Sequence, residues 1–205
     1  MKIRAALSLL LSCLLLPAAH AADADPLART RALIALFEAV QAPAEGAAPT
    51  DAMRQANAAT YAALDGFFDR EALTTTPIAP HRDAFSDAQA ARFAAVFWDL
   101  LRLVAYPDSG AFLREAETEL AQAGPAATRL KARLPKDDLE TEVVFHWKPG
   151  PDGLRVVDVD FDGASLMKDY QNQFGRLIAK HGVDGLIAKL EARRADEVKK
   201  RGALP

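Results

Sequence analysis

Four acids and a glycine in DVDFDGASLMKD, Asp158 to Asp169, are spaced almost as a calcium-binding loop would space them. Such a loop takes oxygens from its first, third, fifth, seventh and ninth positions, a glycine at the sixth and a bidentate glutamate at the twelfth. Asp158, Asp160, Asp162 and Gly163 meet the first half of that demand. The second half fails. Ser165 stands at the usually apolar eighth position, Leu166 at the usually polar ninth, and Asp169 is one methylene short of glutamate. No helix leads in either, because LRVVDV is β-branched and alternating. A period of two predicts a strand instead, with Val157, Val159 and Phe161 on one face and the three aspartates on the other, solvated one.

The remaining polar candidates carry less. His81, His146 and His181 are scattered without metal-ligand spacing, and His146 is expected as an exposed side chain on the acidic face of its strand. Ser165 lacks the G-x-S-x-G elbow of a hydrolase; a helix cap is the better reading. The tail KLEARRADEVKKRG alternates charges as a solvated helix face does. The alternative is that Lys199, Lys200 and Arg201 meet anionic lipid or a partner. No catalytic residue, metal ligand or cofactor is predicted.

The elements around that strand follow from periodicity. DPLARTRALIALFEAVQ, with Leu27, Leu33, Ile34, Phe37 and Val40 at helical spacing, predicts a first helix, and APAEGAAPT a linker. A second helix starts at Asp51 and ends near Phe67 and Phe68; EALTTTPIAPH, with two prolines, reads as irregular. SDAQAARFAAVFWDLLRLVAYP is the clearest helix. Ser86 and Gln89 form a capping box, Phe93, Val96, Phe97, Leu100, Leu101 and Val104 make an apolar stripe, and Pro107 is expected to end it. Four alternating segments follow: EAETELAQ, AATRLKARLP, LETEVVFHWKPG and LRVVDVDFDG, the last two joined by the turn GPDG. Beyond Gly163 the helical period returns through Leu166, Tyr170 and Phe174, and VDGLIAKLEARRADEVKK adds a final helix or two short ones. Helices, antiparallel strands, then helices give an α+β fold with a twisted sheet of about four strands.

Composition narrows the setting. With 205 residues and 50% hydrophobic content, the chain suffices for one domain with a sizeable core. MKIRAALSLLLSCLLLPAAHA reads as a secretory signal over residues 1–21. Lys2 and Arg4 are its charged end, Ala5 to Leu16 its apolar stretch, and Ala19-His20-Ala21 its cleavage site. A single domain is expected over 22–205. Cys13, the one cysteine, lies inside the leader, so no disulfide is expected in the mature chain. The 25 basic residues less the two in the leader, set against 28 acidic ones, give a mature charge of −5. That balance argues against nucleic acid as a partner.

VVDVDFDGASLMKDYQNQFGRLIAKHGVDGLIAKLEARR resembles the C-terminal signature of the MlaC family, also called toluene-tolerance proteins. The family's strand Asp, Gly-x-Ser-Leu turn, Tyr and Gln-x-Phe helix, and Gly-x-Asp-x-Leu-Ile segment correspond to Asp158, Gly163, Ser165, Leu166, Tyr170, Gln173, Phe174, Gly182, Asp184, Leu186 and Ile187. FFDREAL resembles its Phe-Asp segment, and SDAQAARFAAVFWDLLRLVAY its Gln-x-x-x-Phe helix. TTTPIAPHRDAF departs from the pattern, lacking the family's usual glycine and tryptophan.

The resemblance implies a periplasmic phospholipid carrier that shuttles lipid between an outer-membrane lipoprotein complex and an inner-membrane ABC transporter complex. It also implies a nuclear-transport-factor-like fold with acyl chains held in an apolar cavity. The physical demand is severe. At about 0.8 kcal/mol per methylene, two chains of about sixteen carbons cost on the order of 25 kcal/mol to expose, so a deep cavity with a polar mouth is needed. The residues expected to line it are Phe97, Leu101, Val143, Phe145, Val157, Val159, Phe161, Leu166 and Tyr170. A hopanoid or other sterol-like lipid is the alternative cargo. An enzyme on a similar fold is the remaining one, and it would need an acid inside the cavity.

Overall fold

The computed structural model describes residues 25–43, 47 and 49–205. The leader and Cys13 lie outside the described residues. The elements run α1 (Pro26–Ala39), α2 (Asp51–Asp65), α3 (Arg70–Thr75), a 3-10 helix (Thr76–Ala84), α4 (Asp87–Glu115), β1 (Glu117–Gly124), β2 (Ala127–Leu134), β3 (Leu139–Gly150), β4 (Gly153–Phe161), β5 (Ala164–Ser165) and α5 (Leu166–Arg201). The strands form one antiparallel sheet in sequence order. The fold is α+β as expected, with the four predicted strands joined by a two-residue fifth.

Local chemistry accounts for most boundaries. Asp25 caps α1, Thr50 caps α2, and Asp69 caps α3 by accepting from Ala72 N at 2.9 Å. Ser86 and Gln89 close the capping box of α4. Gly153, at φ 118°, completes the GPDG turn between β3 and β4. The segment read as irregular is in fact α3 and the 3-10 helix: a proline in its first turn suits that geometry, and Ile78 buries against α4.

Pro107 does not end α4, which continues to Glu115. A proline inside a helix forfeits one backbone hydrogen bond. Here the turns beyond it bury Gly110 and Leu113, and Phe112 packs against the same core. Gly110 lies so close to α1 that a Cβ there would sit 2.4 Å from the Phe37 carbonyl oxygen. Packing overrides the local preference.

Two cores result. In the first, the sheet's inner face packs on α1, α2 and the second half of α4, through Leu33, Phe37, Tyr106, Leu130, Val143, Phe145, Trp147 and Val156. A buried polar link ties α1 across this layer. Thr30 Oγ1 lies 2.7 Å from Thr128 Oγ1, which accepts from Trp147 Nε1 at 3.0 Å. The second core is helical, formed by the first half of α4, the 3-10 helix and α5, with Phe93, Phe97, Phe174, Leu186 and Ile187 inside.

α5 reverses direction at Gly182. Before it, Tyr170 meets Phe97 and Phe174 meets Phe93, so the numbers run oppositely to those of α4. After it, Asp184 bonds to Gln89, Glu191 to Arg92, Asp99 to Arg194 and Asp108 to Arg201, and the two helices run parallel. Gly182 sits at φ 69°, ψ 176°, a conformation left essentially to glycine. Nothing lies within 4 Å of a Cβ built there. Gly182→Ala is therefore expected to cost about 1–3 kcal/mol through backbone strain alone. A denaturation midpoint equal to that of the wild type would show that the reversal does not depend on this glycine.

Candidate functional site

The strand carrying the aspartates is interrupted by a bulge that decides which side chains reach the interior. His146 pairs with Asp158 but Trp147 with Val156, so Val157 is the extra residue. Downstream, Val159 and Phe161 face inward as the alternation predicts. Upstream the phase inverts: Val156 is fully buried and Val157 leaves the inner face. Val156 N donates to Phe67 O at 2.8 Å, and Asp69 N donates to Val156 O at 2.9 Å. The chain between α2 and α3 thus docks on the free edge of β4 and carries Phe68 inward.

The aspartates are not simply solvated. Asp158 accepts from Ser165 Oγ at 2.6 Å, Met167 N at 3.1 Å and Val159 N at 2.8 Å, and so orders the start of α5. Ser165 caps that helix, accepting from Lys168 N at 3.1 Å. Asp160 lies 2.8 Å from His146 Nε2, and the pair is half-buried, where His146 was expected exposed. Asp162 accepts from Glu142 N at 2.8 Å and from Thr141 Oγ1 at 3.2 Å. The lone pairs that a calcium loop would turn toward an ion serve the backbone and neighbouring side chains here.

Between the two cores lies an apolar cavity of about 440 Å³. α4 supplies Trp98, Leu101, Ala105, Tyr106 and Phe112, and the sheet supplies Leu130, Val143, Phe145, Val159 and Phe161. Leu166 and Met167 at the start of α5 close one side, Phe37 and Phe68 another. Polar groups gather toward the mouth: Asp108, Ser109, Glu140, Thr141 and Asp162. Leu139 and Phe161, 48% and 46% exposed, are the large apolar side chains left open to solvent among the described residues, and both line this cavity.

Six of the nine residues expected to line a cavity therefore converge on it: Leu101, Val143, Phe145, Val159, Phe161 and Leu166. Three do not. Val157 is displaced by the bulge. Phe97 and Tyr170 lock into the helical core, their rings 4.8 Å apart, with Phe97 only 2% exposed. The predicted stripe on α4 took one broad face where there are two: Phe93 and Phe97 enter the helical core, while Trp98, Leu101 and Ala105 turn to the cavity. Helical spacing of Trp98, Leu101, Ala105 and Phe112 was the available signal. Ending the helix at Pro107 hid its last member. Phe37 and Phe68 are brought in by tertiary contact, and nothing local marks them.

An aromatic cluster centred on Tyr106 borders the cavity. Tyr106 stacks on Phe68 with centroids 5.9 Å apart and meets Phe37 and Tyr61 edge-on. Its hydroxyl donates to Asp65 Oδ1 at 2.8 Å, and Arg102 Nε lies 3.1 Å from the same oxygen. Burial, reinforced by the Asp65 carboxylate, pushes the Tyr106 phenol far above its usual range. Burial also raises Tyr61 and Tyr170.

The MlaC protein family model matches residues 35–192. The chain belongs to the MlaC family. Among solved structures it is similar to the phospholipid-binding protein from Ralstonia solanacearum determined in complex with a phospholipid. That likeness has a TM-score of 0.60 at 18% identity, covering 85% of this chain and 99% of that one. No curated protein matches the sequence. The structural likeness places this MlaC member's fold, and the family match reaches from α1 into the second limb of α5.

Two outcomes follow from this geometry. Asp158→Ala should cost about 1–3 kcal/mol, because it leaves the Ser165 hydroxyl and the Met167 amide without their acceptor, with Asp158→Asn recovering part of the loss; equal midpoints for all three proteins would count against the capping role. All three tyrosines hold their protons more tightly folded than unfolded. Their contribution is complete below the ordinary phenol pKa of about 10 and is lost as pH rises past it. Tyr106→Phe should make that alkaline loss shallower in pH-dependent denaturation, and an unchanged slope would refute it.

Proposed function

We propose that this chain is a periplasmic phospholipid carrier that keeps acyl chains dry in the cavity between α4 and the sheet. The observation that carries the reading is the cavity itself. Its volume of about 440 Å³ falls within the range of ligand sites, and its walls are formed by Leu, Val, Phe, Trp and Met with polar groups confined to the mouth. A sixteen-carbon tail moved from water into such walls gains on the order of 12 kcal/mol. Family membership and the phospholipid complex of the Ralstonia protein support the same reading.

The residues proposed to touch the tail are Leu101, Val143, Phe145, Val159, Phe161 and Leu166, joined by Phe37, Trp98 and Met167. Asp158 and Asp160, the acids that an enzyme would need inside, instead serve the start of α5 and His146. This supports binding without chemistry. The leader-like residues 1–21 support export. In this reading the carrier exchanges lipid with an outer-membrane lipoprotein complex and an inner-membrane ABC transporter complex, the partners implied by the resemblance of its C-terminal signature.

Native mass spectrometry of protein gently purified from a lipid-containing host should show co-purified phospholipid. Ala105→Trp, on an exposed position of α4 that also lines the cavity, should lower occupancy at least severalfold while leaving the fold intact. Folded wild-type protein that never carries lipid would sink the proposal.

A further inference from the structure

Building on the carrier reading, we infer that the mouth of the cavity discriminates among lipid heads, favouring zwitterionic, amine-bearing phospholipids over net-anionic ones. Three features of the mouth lead there. First, Leu139 and Phe161 stand exposed at its edge, where β3 begins and β4 ends. Side chains of that size gain by being covered, so the lipid's glycerol end and uppermost methylenes rest here and the head sits just outside.

Second, every charged residue lining the cavity is acidic: Asp108, Glu140 and Asp162. Asp108 is neutralised by Arg201, whose Nη1 lies 2.5 Å from its carboxylate. Arg133 is the cross-strand partner of Glu140, and Lys131 that of Glu142, but neither lysine nor arginine lines the cavity. Glu140 and Asp162 therefore set the sign of the field that a bound head meets.

Third, one of these charges is held in place. Asp162 takes a left-handed backbone, φ 48°, and its carboxylate accepts from Glu142 N and Thr141 Oγ1. Its own amide donates to Glu142 O at 2.8 Å. A carboxylate fixed by its neighbours acts on a ligand without first being ordered.

Every phospholipid brings a phosphate that this rim repels. An ammonium on the same head offsets the repulsion by pairing with Glu140 or Asp162. A glycerol head supplies no such charge, and a second phosphate worsens the balance. At a solvent-facing mouth such a pair is worth a modest factor, so a preference of about twofold to fivefold is expected.

The test loads the delipidated full chain from vesicles holding equal amounts of phosphatidylethanolamine and phosphatidylglycerol with identical acyl chains, and reads bound lipid by native mass spectrometry. Wild type should favour the ethanolamine lipid by that factor at low salt. The preference should shrink toward unity near 1 M salt, where the screening length falls to about 3 Å. The double variant Glu140→Gln with Asp162→Asn should load the two lipids with little preference, chiefly by taking up more of the glycerol lipid than wild type does. Asparagine tolerates the left-handed backbone and keeps an acceptor for Glu142 N. Equal loading of both lipids by wild type, or a preference for the glycerol lipid, would overturn the selectivity while leaving the carrier reading standing. A preference untouched by both salt and the variant would overturn it too. Loading of neither lipid would instead refute the carrier reading, and this inference with it.

Discussion

Apolar walls in water attract one another, and this fold has to hold a set of them apart. Closing a space of about 440 Å³ would recover on the order of 10 kcal/mol of packing and transfer energy, comparable to the whole stability of a small domain. The frame must therefore resist collapse at several points. Trp98, Leu73 and Met167 form a small cluster of their own between the two larger cores. Close packing on both sides leaves the wall residues few rotamers in which to slump inward.

The long helix α4 makes that possible because it belongs to both cores at once. Its first half is clasped by the two limbs of α5, through edge-to-face rings on the descending limb and ion pairs on the returning one. Its second half lies on α1 and the sheet, where Tyr106 reaches Asp65 and Gly110 accepts the close approach of Phe37. Exposed ion pairs contribute little energy one by one. Three of them, together with the Gln89–Asp184 hydrogen bond, follow in rising order along two helices, and that order brings Arg201 to Asp108 at the cavity's mouth.

The sheet contributes a different device. The bulge at Val157 inverts the phase of β4 midway, so that Val156 and Val159 both point inward although they are three residues apart. Between these valines, Asp158 turns its carboxylate toward the start of α5. A segment that looks like half a calcium loop thus serves as a junction between strand and helix. The acids' spacing reflects the pleat, and their hydrogen bonds reflect the need to terminate it.

Periodicity and capping chemistry were enough to place the strands, the α4 capping box, the Ser165 cap and the α+β order, because each is set by residues within a few positions of one another. The six wall residues that alternation or helical spacing picked out were legible for the same reason. What no local pattern contains is the partition of one apolar stripe between a solid core and a cavity. Phe97 and Leu101 are one helical turn apart and equally greasy, and their separate fates depend on what α5 and the sheet bring against them. Tertiary packing likewise carried α4 through Pro107, displaced Val157, and delivered Phe37 and Phe68 from distant parts of the chain. Sequence determined which faces are apolar; only the assembled fold decided which of them meet and which stay apart, because contact energy depends on partners that lie far along the chain.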